Sequence, residues 1–374
     1  MDYVMLKDVC TINMGQSPDS NSYNDTGGGT PFFQGNADFG KINPVVRVWC
    51  DLPTKIAHKD DILISVRAPI GALNIADREC CIGRGLAAIT ADESRCAKGY
   101  LWYALSSRVE ELNAKGTGST FKAISKSILA ETEIPLPPLD EQRCIAAVLD
   151  KAAALIDLRK QQLAKLDELV KARFVEMFGD PVSNPMGWEK EKSENHIDLL
   201  SGYPFQSEQY SDSGTNICGG LIIMPQRIQW EECKHWPKVD GFEEYLLQEG
   251  DIVMALDRPW ISEGFKIAQV DKEHLPALLI QRTARIRGID VNQQYLFHYF
   301  VNGGFDKHSN ITGSLVPHIS AKDIRSFEIL LPPIELQNQF ADFVKQLDKS
   351  KAAIQKSLDE AQLLFDSLMQ KYFG

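Results

Sequence analysis

The sequence predicts an α+β protein in which two α/β globular domains are each followed by one long coiled-coil helix. Three observations carry that expectation. The chain contains one unit written twice, each copy ends in a long stretch free of Gly and Pro, and the rest consists of short β-rich runs between Gly- and Pro-rich loops.

The repeat organises the whole chain. The register that lays Phe178 and Gly179 on Phe373 and Gly374 also lays Tyr100 and Leu101 on Tyr295 and Leu296. It further superposes Ile124 and Ser125 on Ile319 and Ser320, Pro137 and Pro138 on Pro332 and Pro333, and Gln142 on Gln337. One ungapped register over roughly eighty residues is longer than any supersecondary motif. Earlier in each half the match loosens: "DDILISVRAPIG" resembles "GDIVMALDRPW", and "INMGQSP" only echoes "LLSGYPF". Each copy thus has a variable front and a well-kept back. The boundaries read as 1–138 and 181–333 for the globular fronts and 139–180 and 334–374 for the helices.

In the fronts, "DILISV" and "DIVMAL" read as short β-rich runs, while "KGYLWYALSSRVEELN" and "NQQYLFHYFVN" fit short helices. In the backs, Ile145, Leu149, Ala152, Ile156, Leu163, Leu166 and Val170 follow a 4-3 spacing, with Arg159 in one seam position. The second copy gives Phe340, Val344, Leu347, Ile354, Leu358, Ala361, Phe365, Leu368 and Tyr372, with Lys351 matching Ile156. Such a stripe is a coiled-coil seam. A helix of about 38 residues is roughly 57 Å long. It needs a long partner, and its own copy is the matching one. Proline disfavours helix in the preceding residue, so each double proline ends a strand and sets a helix start, with Asp140 and Glu335 near the positive end of the dipole.

At 374 residues the chain has room for two or three cores. No run approaches the 18 or so apolar residues of a membrane span. Eight scattered cysteines without a CxxC pair argue against a zinc site or a disulfide framework, which predicts a reduced, cytoplasmic protein. The net charge of −11 weighs against a wholly basic surface but leaves room for a local basic face. Enzyme motifs are missing: there is no P-loop, no GxGxxG after a strand, no Asn-Pro-Pro-aromatic tetrapeptide and no His pair at metal-ligand spacing. Glu232-Cys233-Lys234 is a nuclease-like fragment without a convincing Asp-bearing strand before it. No catalytic residue, cofactor or metal is expected.

The segments "IPLPPLDEQRCIAAVLD", "LVKARFVEMFGDPVSNPMGWE" and "SAKDIRSFEILLPPIELQNQF" resemble the specificity subunit of type I restriction-modification systems, and the likeness runs over essentially the whole chain. The resemblance implies two target recognition domains, each reading one half of a bipartite site in double-stranded DNA. It implies that the helices pack antiparallel with pseudo-twofold symmetry as a spacer. It also implies that methyltransferase subunits, usually two, dock on this scaffold and that a restriction (motor-nuclease) subunit can join. Because the fronts have diverged, the expected target is asymmetric. Glu141 and Arg143 become Leu336 and Asn338 in the second copy, a departure at an exposed turn.

Base edges are read by Arg, Lys, Asn, Gln, Ser and Thr, and phosphates by cations. The DNA-binding candidates in the first front are Gln16, Ser17, Arg67, Arg84, Lys115, Ser119 and Lys122. Those in the second are Gln206, Ser207, Arg258, Arg282, Ser314 and His318. Ser125 and Ser320 also suit helix caps, and core packing suits most of Trp49, Trp230, Trp236 and Trp260. The rival reading is a coiled-coil tether whose globular ends bind proteins.

Overall fold

The computed structural model describes residues 2–118, 122–309 and 318–374. The chain forms two compact units, Met1–Lys160 with Gln355–Gly374, and Gln161–Ile354. Each unit therefore holds one globular front, one half of its own long helix and one half of the other copy's helix.

The two units share one strand topology. In the first, a four-stranded antiparallel sheet runs in the order Cys10–Met14, Leu86–Ala91, Ile62–Ser65, Leu73–Ile75. In the second, Ile197–Ser201, Thr283–Gly288, Ile252–Ala255 and Ile267–Gln269 repeat that order. The central runs Ile62–Ser65 and Ile252–Ala255 are buried along their whole length, which is why they read as continuous apolar segments without alternation. The additional sheets have diverged, with five strands in the first unit and three in the second. Each keeps one parallel pair, Thr30–Phe33 with Cys80–Ile82 and Thr215–Cys218 with Ala277–Leu279.

Both long helices, Leu139–Phe178 and Ile334–Phe373, contain 40 residues, about 60 Å of rise. The first ends at Gly179, whose φ of +79° is the left-handed conformation that closes a helix with glycine. The proline boxes are anchored by a duplicated buried glutamine. Gln142 accepts from the Ala97 amide at 2.8 Å and donates to the Pro137 carbonyl at 2.8 Å and the Arg95 carbonyl at 3.0 Å. Gln337 accepts from the Asn292 amide and donates to the Pro332 carbonyl, both at 2.8 Å. These amides satisfy backbone groups where strand gives way to helix, so both glutamines are almost fully buried.

Within each unit the helix segments pack antiparallel. In the second, Asp167 meets Lys351 at 2.7 Å, Arg173 lies over Phe343, and Phe174 packs on Phe340, so rising numbers oppose falling ones. In the first, Ile145 and Leu149 share a core with Phe365, Leu368 and Phe373, while Arg159 donates to Ser357 Oγ at 3.1 Å. The helix ends enter the globular cores. Phe373 packs on Tyr100, whose hydroxyl donates to the Pro135 carbonyl at 2.8 Å. Phe178 packs on Tyr295, whose hydroxyl donates to the Leu330 carbonyl at 2.8 Å.

His196 in the second unit lies 2.9 Å from Asp290 and 3.1 Å from Glu191. Burial opposes its charged form, but hydrogen bonds to Asp290 and Glu191 outweigh it and hold the imidazole above its usual 6.5. A group raised on folding stabilises fully below its unfolded value and loses that contribution as pH rises through the folded value. Thermal unfolding of the second unit is therefore expected at lower temperature at pH 8.5 than at pH 6, and His196→Asn should flatten this dependence. A pH slope unchanged by the substitution would assign it to other groups.

Candidate functional site

A glycine sets the same corner in each unit. A Cβ on Gly15 would lie 2.2 Å from the Gly83 carbonyl oxygen, and one on Gly202 would lie 1.9 Å from that of Ile280. Only glycine allows this approach, which brings the loop after the first sheet strand onto the loop before the long strand.

In the first unit that corner gathers several polar candidates. The Gln16 amide donates to the Ile82 carbonyl at 3.0 Å. Ser17 Oγ donates to Gln34 Oε1 at 3.0 Å and accepts from the Arg84 amide at 3.2 Å. The Gly85 amide bonds to the Gln34 carbonyl, and the Gly85 carbonyl accepts from Val66, immediately before Arg67. Arg67 pairs as an isolated bridge with Ala123, and the next amide, Ala68, donates to the Lys122 carbonyl at 3.1 Å. Gln16, Arg67, Arg84 and Lys122 are exposed, and Ser17 is half-buried. Lys115 is placed elsewhere: it pairs with Glu111 at 2.6 Å and lines a separate cleft with Tyr3, Arg108 and Glu133.

The second unit builds the corner with the same backbone bonds and different side chains. The Leu256 amide donates to the Arg282 carbonyl at 2.9 Å, as Val66 does to Gly85, and Ile319 donates to Leu256 at 2.8 Å, as Ile124 does to Val66 at 2.9 Å. Asp257 bridges to His318, with Oδ1 at 2.6 Å from His318 Nδ1 and Oδ2 at 3.2 Å from Arg282 Nε. Arg258 and Arg282 are exposed and hold positive φ values of 46° and 65°. Lys266 is buried beside them, bonded through its ammonium to the Gly220 carbonyl; burial and then the Arg258 charge lower its pKa. Gln206 and Ser207 are exposed at a short 3-10 turn, tied to the corner because Gln281 Nε2 donates to the Phe205 carbonyl at 3.3 Å. Ser119 and Ser314 lie outside the described residues.

Gln34, Asp257, Lys266 and Gln281 carry no sequence-level signal, because only cross-strand pairing brings them to the corner. Ser125 and Ser320 cap short helices through the Ile128 and Asp323 amides. Trp230 and Trp236 are buried.

Along the helices, Ile145, Leu149, Ala152, Ile156, Val170, Phe340, Val344 and Ala361 are buried. Leu163, Leu166, Leu347, Ile354, Leu358, Phe365 and Leu368 are half-buried. Two helices cover only one stripe of each other, so burial is most complete where a globular core also covers the stripe.

The model for the type I restriction modification DNA specificity domain matches residues 1–168 and 239–362. A putative type I restriction enzyme MjaX specificity subunit of Methanocaldococcus jannaschii is 43% identical over 160 residues, covering 43% of this chain and 38% of that protein. The MjaVIII specificity subunit of the same organism is 27% identical over 283 residues, covering 69% of this chain and 67% of that one. The chain thus spans well under half the length of the first relative. The crystal structure of an S subunit from M. genitalium aligns with TM-score 0.60 at 17% identity over 100% of this chain and 96% of its own, a likeness of fold.

Proposed function

Because this chain belongs to the type I restriction modification DNA specificity family, we propose that it is the non-catalytic subunit that confers sequence specificity on partner methyltransferase and nuclease subunits. Each unit reads one half of a bipartite, asymmetric site in double-stranded DNA through its glycine-set corner. The observation that carries this reading is one backbone corner built twice with different side chains. Duplication supplies two readers, and divergence makes their half-sites unlike. Exposed cations such as Arg67, Arg84, Lys122, Arg258 and Arg282 suit phosphate and base-edge contacts despite the net charge of −11.

The long helices serve as spacer and as docking surface. Val148, Leu155 and Leu158 are 42%, 37% and 50% exposed on the first helix, an apolar face suited to a methyltransferase helix. The test is salt-dependent binding to duplex DNA by the chain alone and with a co-expressed methyltransferase subunit, followed by mapping of methylated sites. Methylation of one defined bipartite sequence is expected, and Leu158→Lys should weaken capture of the methyltransferase while leaving DNA affinity of the chain unchanged. A purified complex that methylates no bipartite sequence overturns the reading.

A further inference from the structure

The two corners exchange the position from which a guanidinium is presented. In the first unit Arg67 follows the buried strand and Gly85 sits opposite, its carbonyl accepting from Val66. In the second unit the residue at the Arg67 position is Asp257, and the residue at the Gly85 position is Arg282. The equivalence rests on backbone bonds: Val66 to Gly85 and Leu256 to Arg282 both measure 2.9 Å.

Asp257 is held from two sides. His318 lies on one carboxylate oxygen and Arg282 Nε on the other. This ion pair engages the guanidinium through its Nε edge. The two terminal nitrogens of Arg282 then have no other partner among the described residues, and the side chain is 75% exposed. Its φ of 65° lies in a region that residues with a Cβ rarely adopt, and such conformations persist where the surroundings enforce them.

Resting on the reading of this chain as a DNA specificity subunit, we propose that Arg282 is the base-reading residue of the second unit, aimed by Asp257 and His318 as positioning residues. The class of ligand is the major-groove edge of guanine, whose O6 and N7 acceptors match two parallel N–H donors of a guanidinium. Arg67 presents the same fork in the first unit from the neighbouring strand end, shifted by the cross-strand step that separates the two positions. The half-sites are then unlike in where guanine falls, not only in composition.

The experiment uses the full chain with its methyltransferase subunit and a panel of duplexes with every base pair of each half-site varied singly. Arg282→Lys and Arg282→Gln, with the left-handed-tolerant Arg282→Asn as a control for folding, are expected to lose about 10- to 100-fold of preference at one G·C pair of one half-site. Preferences at the other half-site should be unchanged. Asp257→Asn should lower discrimination at the same base pair without lowering affinity for non-specific DNA, since it removes a negative charge. A merely structural aspartate would instead lower affinity across all sequences. Uniform weakening by every Arg282 variant, with a smaller salt slope, would make Arg282 a phosphate contact and overturn the proposal. If the wild-type complex shows no bipartite preference, the specificity-subunit reading itself fails, a result distinguishable from the first.

Discussion

Replacing Phe174 by alanine is expected to destabilise the second unit by about 3–5 kcal/mol. Phe174 is fully buried at the point where helix segments and globular core meet. Its ring lies 5.0 Å from Phe178, 5.7 Å from Tyr295, 6.5 Å from Tyr299 and 5.4 Å from Phe340. Truncation removes ring contacts to two helix residues and two residues of the Gln293–Asn302 helix at once. Collapse is hard because each neighbour is itself anchored, Tyr295 by its bond to Leu330 and Tyr299 by its bond to Glu328. Denaturant unfolding should show a lowered midpoint for the second unit, and Phe174→Leu should recover part of the loss because most of the volume returns. A change below about 0.5 kcal/mol, within the range of surface substitutions, would show that this aromatic cluster does not hold helix to core.

Removing one heptad from each long helix at facing positions should shorten the preferred gap between half-sites while leaving each half-site sequence unchanged. Seven residues span about 10 Å of helix, close to three base pairs of DNA. Three base pairs also turn the duplex by nearly a third of a revolution, so the original gap is expected to be strongly disfavoured. Whole heptads keep the apolar stripe in register, including Leu149, Phe340 and Val344. Single-residue deletion should instead rotate the stripe out of its partner and reduce stability without selecting a new gap. Site selection on a library of gap lengths reads both results. An unchanged gap after heptad removal would end the proposal that the helices measure distance.

Much of the fold is legible in the sequence because its signals are local or repeated. Helix periodicity, proline stops and Gly179 depend on neighbours within a few turns. The repeat pairs Gln142 with Gln337 and Tyr100 with Tyr295 before any contact is known, and the structure gives each pair matching bonds. The candidate corners are legible only as loop cations. Glu111 and Lys115 stand four apart and so pair locally on a helix, but nothing in the chain tells that Gln34 joins Ser17 and Arg84.

Repetition and periodicity are enough to establish one unit built twice, with long helices that need each other and fronts free to diverge. Which polar side chains share a corner, and that Asp257, Arg282 and His318 form one connected set, emerges from the folded strands. The difference lies in the range of the interactions. Helical periodicity is a near-neighbour property, whereas the corner depends on pairing between strands far apart in the chain, which spacing alone does not encode.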